Sequence, residues 1–399
     1  MRDVTAPNIE HPRDRRDIAA PAAPITRIHE LDGLRGVLAL YVAAYHLMDV
    51  TSGVANYARS HLTLLCQGWY AVDVFFLMSG FVMMHVYGET FSRPLDGSEL
   101  RFFFLSRIAR LYPVHLAVML VFAIGMSPLF VLHPDLLAPG ERYSWPAWLA
   151  SLVMVHGPWI ATRTWNFPSW SVSAEWHAYL LFPLLVAPLR RVSATLAAVG
   201  LYGCVAITYA LYSTYASGDD APTNGALSLL RVLPLFIAGM FTRQIHLSFK
   251  RLHEGDAFTS FVLLLTLGVL CTRAYAHIAV LMIPSLTICA LHNHRLRTLL
   301  SRPALLRLGT ISYSLYMTHI MIGVFALSPG IRLADKLTAF DFGKHPMASA
   351  ALLAAAVLAS VALGSLTCAR VEAPSRKWIQ ARLQRPQRAL SSRQAVSDS

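Results

Sequence analysis

Arg35 and His46 are the first residues whose types and spacing suggest chemistry. Both lie in the apolar stretch from Leu31 to Leu47. Eleven residues at about 100° each carry a helix roughly 20° past three full turns, so the two side chains share one face about 16 Å apart along the axis. That is about half the thickness of a hydrocarbon core. An ionisable side chain inside a span is costly and by default marks a functional site. Two on one face describe a polar path along the helix. The plainer reading is that Arg35 snorkels to one interface and His46 caps the other end, and at this point both readings stand.

Four further groups could join that path. Arg107 and Arg110 are one turn apart at an expected helix start and suit bidentate phosphate binding, although basic residues also anchor the ends of spans. Glu175 and Tyr179 share a face at i, i+4 and enter the membrane at about the depth of His46. A carboxylate beside an imidazole supplies the base-plus-orienter pattern of acyl transfer. The bland alternative is a carboxylate at the aqueous interface with no partner. Asp73 opens a second apolar run and is placed in the same vestibule, while Ser79-Gly80 reads as a close helix contact. Ser312, Tyr316 and His319 share a face and either line the cavity or bond between helices. His85, His115, His156, His277 and His292 read as interfacial. The sequence has no Gly-rich phosphate loop and no HExxH, and the expected metal set is none.

These residues need a scaffold, and composition says which kind. Of 399 residues, 55% are hydrophobic and 14% charged, where a soluble domain carries about a quarter charged. The reading is an all-α, polytopic membrane helical bundle. Apolar segments of spanning length fall at about 33–50, 70–88, 111–132, 174–189, 193–213, 226–242, 257–272, 275–292, 310–328 and 347–368. That makes about ten transmembrane helices. The run at 147–156 is too short to cross and is followed by Gly157-Pro158, so a re-entrant or interfacial helix is expected there.

Charge sets the topology. With the N-terminus inside, the inner segments hold 25 basic residues and the outer loops 7. That asymmetry predicts both termini in the cytoplasm. The basic residues are dispersed over short loops, so the pI near 9.7 does not point to nucleic acid. The cysteines (Cys66, Cys204, Cys271, Cys289 and Cys368) show neither metal nor disulfide spacing. Residues 1–29 read as a disordered cytoplasmic tail, 30–372 as the membrane domain and 373–399 as a basic cytoplasmic tail.

Five stretches in order resemble the acyltransferase-3 family of integral-membrane O-acyltransferases, over nearly all of residues 29–372. They are Leu31-Asp32-Gly33-Leu34-Arg35-Gly36 with His46 after ten intervening residues, the run from Asp73 to Phe81, Arg107 to Pro113, Trp170 to Glu175, and Ile311 to His319. Members O-acylate surface polysaccharides, lipopolysaccharide, exopolysaccharide, nodulation factors and some macrolides. The resemblance is to stand-alone members without a fused esterase-like domain. One departure is Trp176-His177, where many members have tyrosine or phenylalanine soon after the glutamate.

The resemblance implies that Arg35 and His46 are needed for activity and that Arg107 and Arg110 help hold acyl-CoA. The expectation that follows is transfer from acetyl-CoA or another acyl-CoA, with no permanently bound cofactor. The acceptor is a hydroxyl of a cell-surface or exported carbohydrate, or of a small secreted glycoside or antibiotic. His46 is the expected general base and Glu175 its orienting group. Asp73, Tyr179, Tyr316 and His319 are the expected substrate contacts, and the inner membrane is the expected location. A polytopic transporter is the rival class. It predicts broken helices in paired halves, and no paired halves are visible.

Overall fold

The computed structural model describes residues 28–160, 163–215, 225–338 and 340–383. Among them the chain is helical and without a strand, as the all-α reading requires. Most of both expected tails, 1–27 and 384–399, lies outside the described residues.

Helix α1 (His29–Met48) starts with Glu30 and Asp32 in its first turn, where carboxylates complement the helix dipole. It turns by 113° into α2 (Ser52–His61). Helix α3 (Trp69–Tyr87) is mostly apolar and largely buried, as a central helix must be. Helix α4 (Gly97–Leu132) has 36 residues, about 54 Å, longer than the roughly 30 Å of a hydrocarbon core. Its polar half carries Arg101, Arg107 and Arg110, so the arginine pair sits well inside a helix rather than at the helix start the sequence suggested. Helices α5 (Trp145–Leu152) and α6 (His156–Trp159) are too short to cross, as the re-entrant reading requires.

The remaining helices are α7 (Trp170–Arg190), α8 (Ala194–Tyr215), α9 (Ala226–Ile245), α10 (Lys250–Glu254), α11 (Asp256–Cys271), α12 (Ile283–His292), α13 (His294–Leu300), α14 (Pro303–Ile322), α15 (Ser328–Thr338) and α16 (Pro346–Thr367). A π turn at Gly323–Leu327 joins α14 to α15. A second, at Cys368–Glu372, carries the last helix on to Leu383, past the expected domain boundary at 372. Eight described helices are long and apolar enough to span, and the bent α1–α2 pair makes a ninth. Helix α11, apolar but 16 residues long, accounts for the tenth expected segment.

Small residues let the helices that carry the site approach backbone to backbone. A Cβ on Gly309 of α14 would strike the Asp32 carbonyl of α1, and one on Gly80 of α3 would strike the Phe236 carbonyl of α9. Such contacts rely on dispersion where lipid removes the hydrophobic drive. The Gly80 contact is the close helix packing read from the sequence. It also turns the neighbouring Ser79 toward a cavity.

Candidate active site

Three cavities stand in a row through the bundle, and α1, α3 and α14 supply much of their walls. The largest, about 390 Å³, lies at the Arg35 end and is lined by Asp32, Arg35, His85, Arg110, Tyr313 and Arg376 among others. A middle cavity of about 90 Å³ is lined by Arg35, Ser79, Arg107, Arg110, Glu175 and Tyr179 among others. A far cavity of about 70 Å³ holds His46, Asp49, Trp69, Arg163, Phe167 and Arg231. Helix α3 runs antiparallel to this order: Val86 lines the first cavity, Ser79 the middle one and Trp69 the far one. The shared face of Arg35 and His46 on α1 therefore does open onto a polar path.

At the far end, His46 Nδ1 lies 2.8 Å from His319 Nε2 of α14. The two rings are nearly parallel, with centroids 5.1 Å apart. For His46 to accept a proton on Nε2, its Nδ1 must carry hydrogen and donate it to His319. The Phe167 ring stands edge-on to His46 at 4.9 Å. Phe167 is itself covered by the guanidiniums of Arg142 and Arg163 at 5.5 and 5.4 Å. The preceding residue, Asn166, donates from Nδ2 to the Met317 carbonyl of α14 at 3.1 Å. This ties the segment before α7 to the helix that carries His319.

Glu175 does not meet His46. Its Oε1 accepts from Tyr179 Oη at 2.5 Å and from Ser79 Oγ, and Ser79 Oγ and Tyr179 Oη are 2.9 Å apart. The residue that stands beside His46 is His319, which the sequence reading put among substrate contacts. The i, i+4 relation of Glu175 and Tyr179 holds, but it points both into the middle cavity.

Asp73 is a second correction. It lines none of the three cavities. It is fully buried against Arg231 of α9, whose Nε donates to Oδ1 at 2.8 Å. Tyr212 of α8 donates to Oδ2 at 2.6 Å. Arg231 also donates to the Trp69 carbonyl at 3.0 Å and lies over the Trp170 ring at 5.0 Å. The pair pins α3, α8 and α9 together. Unpaired charge at this depth is strongly penalised.

The expected phosphate ligands stay close together. Arg107 donates from Nη2 to Tyr87 Oη at 3.1 Å, and its guanidinium lies over the Tyr87 and Tyr179 rings at 5.3 and 5.9 Å. Arg110 and Arg35 line both the first and the middle cavity, and Arg35 is 3.7 Å from Asp32. Tyr316 holds its hydroxyl 2.6 Å from Ser171 Oγ and donates to the Pro168 carbonyl at 2.9 Å.

The histidines read as interfacial mostly join networks instead. Arg243 donates to His85 at 3.0 Å, and His115 and His156 stack at 6.0 Å between centroids. Sequence reasoning did not place Arg231, Arg163 or Phe167 at the site. For Arg231 a signal existed, because it is the other arginine inside an apolar span. No group of three or more potential metal ligands occurs among the described residues.

Residues 28–368 match the family described as an acyltransferase domain. Acyltransferase MdmB of Streptomyces mycarofaciens is 30% identical over 381 residues, 88% of this chain and 92% of that protein. Protein 2 in the picA locus of Rhizobium radiobacter is 34% identical over 167 residues, 39% of this chain and 78% of that protein. O-acetyltransferase OatA of Staphylococcus aureus strain NCTC 8325 is 24% identical over 330 residues, 75% of this chain. The chain spans about half of that protein's length, 51%. No solved structure matches.

Proposed function

The chain belongs to the acyltransferase-3 family and is a multi-pass membrane O-acyltransferase; from that premise we propose that it moves an acyl group, in the simplest case acetyl, from acyl-CoA to a hydroxyl of a cell-surface or exported carbohydrate. The observation that carries the reading is the row of cavities with three guanidiniums toward one end and the His46–His319 pair at the other. The likeness to a protein named an O-acetyltransferase supports acetyl as the group. The basic residues, concentrated in the inner segments, support an orientation in the cell membrane with both termini in the cytoplasm. The Arg35 end then faces the side where acyl-CoA is made.

On this reading Arg35, Arg107 and Arg110 hold the CoA phosphates through charge-assisted bonds, and the pantetheine arm extends through the middle cavity. His46 Nε2 takes the proton from the acceptor hydroxyl. The hydroxyl oxygen bonds to the thioester carbonyl carbon, the C–S bond breaks, and the proton on His46 passes to the departing thiolate. His319 accepts the His46 Nδ1 hydrogen, fixes its tautomer and shares the imidazolium charge. Glu175 holds Tyr179 and Ser79 in the wall of the donor passage.

The test is transfer of labelled acetyl from acetyl-CoA to the glycan fraction of membranes carrying the protein. His46→Ala, which inserts normally because alanine suits a span, should show none. Near-normal transfer by that variant overturns the reading.

A further inference from the structure

The cavities are not joined equally. The first and middle cavities share Arg35, Val82, Arg110, Ser312 and Tyr313 in their walls. The middle and far cavities share just Val72 of α3 and Tyr316 of α14. Neither residue is a loop flap. Val72 is buried within α3, where the Gly80 contact brings that helix onto the backbone of α9. Tyr316 is tethered through its hydroxyl to Ser171 and Pro168, and its ring meets Phe75 edge-on at 6.3 Å. The partition is therefore built from rigid spans.

We propose that Val72 and Tyr316 form a fixed constriction that sets which acyl groups this chain transfers, restricting them to short ones. The inference rests on the donor reading above. If acyl-CoA enters at the Arg35 end and His46 performs the chemistry, the acyl group leads the thioester through the gap between Val72 and Tyr316. It must then share about 70 Å³ with the acceptor hydroxyl. Each further methylene has to find room beyond the gap, among Trp69, Phe167 and Trp170, where the walls are themselves held. Arg231 lies over Trp170 and donates to the Trp69 carbonyl, and Phe167 is covered by Arg142 and Arg163. The middle cavity has Phe75, Phe76 and Met83 in its wall, an apolar strip along which such a group can pass. Discrimination of this kind is steep because one methylene in a tight apolar site is worth roughly 10- to 200-fold.

Val72 is the residue to test, since it takes no part in the hydrogen bonds of the Tyr316 tether or of the imidazole pair. The full-length protein in liposomes, with Val72→Ala and Val72→Leu beside it, is given acetyl-, butanoyl- and hexanoyl-CoA, and kcat/KM is compared within each variant. The wild type should favour acetyl. Val72→Ala should raise the hexanoyl-to-acetyl ratio by about 10-fold or more while keeping most acetyl transfer. Val72→Leu should lower the butanoyl-to-acetyl ratio. Ratios unchanged in both variants, with acetyl transfer intact, overturn the constriction and leave the donor reading standing. Failure of every variant, wild type included, to use any acyl-CoA overturns the donor reading and this inference together.

Discussion

His46 and His319, 273 positions apart in sequence, meet with Nδ1 of the first and Nε2 of the second 2.8 Å apart. On the proposed reading, a histidine here does what a carboxylate does in the familiar triads. It keeps the base in one tautomer and takes part of the charge when the base is protonated. His319→Ala should lower kcat by about 10² or more with the KM values for both substrates little changed. His319→Gln keeps a side-chain acceptor and should recover part of the loss. A rise in acceptor KM at constant kcat would instead return His319 to substrate contact.

Arg110 lines both the first and the middle cavity, so its removal should be felt by the donor. Arg110→Ala is expected to raise the KM for acyl-CoA about 10-fold, the scale of one charge-assisted bond, and to leave the acceptor KM alone. Phosphate contacts act mainly through uniform binding, so kcat should hold. Lysine should rescue only partly, because it lacks the planar fork. Equal effects on both substrates would mark Arg110 as an anchor.

Glu175 bonds Ser79 and Tyr179 and not the imidazole. Glu175→Gln keeps an acceptor oxygen, so the pH profile of transfer should match the wild type. Glu175→Ala leaves two hydroxyls without their acceptor, at about 1–3 kcal/mol, and should lower the melting temperature. A pH profile displaced by Glu175→Gln would restore the direct link to His46.

Asp73 lines none of the three cavities and pairs with Arg231, which borders the far one. Asp73→Ala strands a buried guanidinium and should cost about 3–5 kcal/mol, read as a lower unfolding temperature in detergent. Adding Arg231→Met removes the stranded charge and should recover much of that loss. A stable Asp73→Ala protein with a raised acceptor KM would show that Asp73 touches substrate.

Sidedness can be read with single cysteines and an impermeant thiol reagent. Cys66, in the loop facing outward on the proposed topology, is buried, whereas Cys271 is exposed; both should be replaced first. Ser60 and Ser98 are exposed. Ser60→Cys should label in intact cells, and Ser98→Cys only after permeabilisation. Labelling of Ser98→Cys in intact cells would reverse the orientation and end the through-membrane route.

What the sequence determined was what one helix can determine alone. Backbone periodicity placed Arg35 and His46 on one face, and it paired Glu175 with Tyr179, whatever those helices pack against. Apolar run length located the helices that span, because a bilayer demands about 20 residues. Helix boundaries at Arg107 were less legible. Outside hydrocarbon a polar segment can stay helical, and α4 begins ten residues before that arginine at Gly97. Partners across helices were decided only by the tertiary structure. The close approach of Gly309 to α1 and of Gly80 to α9 is what brings His319 to His46 and leaves Ser79 for Glu175. Asp73, one residue beyond Val72, lines none of the cavities and pairs instead with Arg231, 158 positions on. Such pairings depend on how faces of distant helices rotate against each other, and no period within a single helix carries that information.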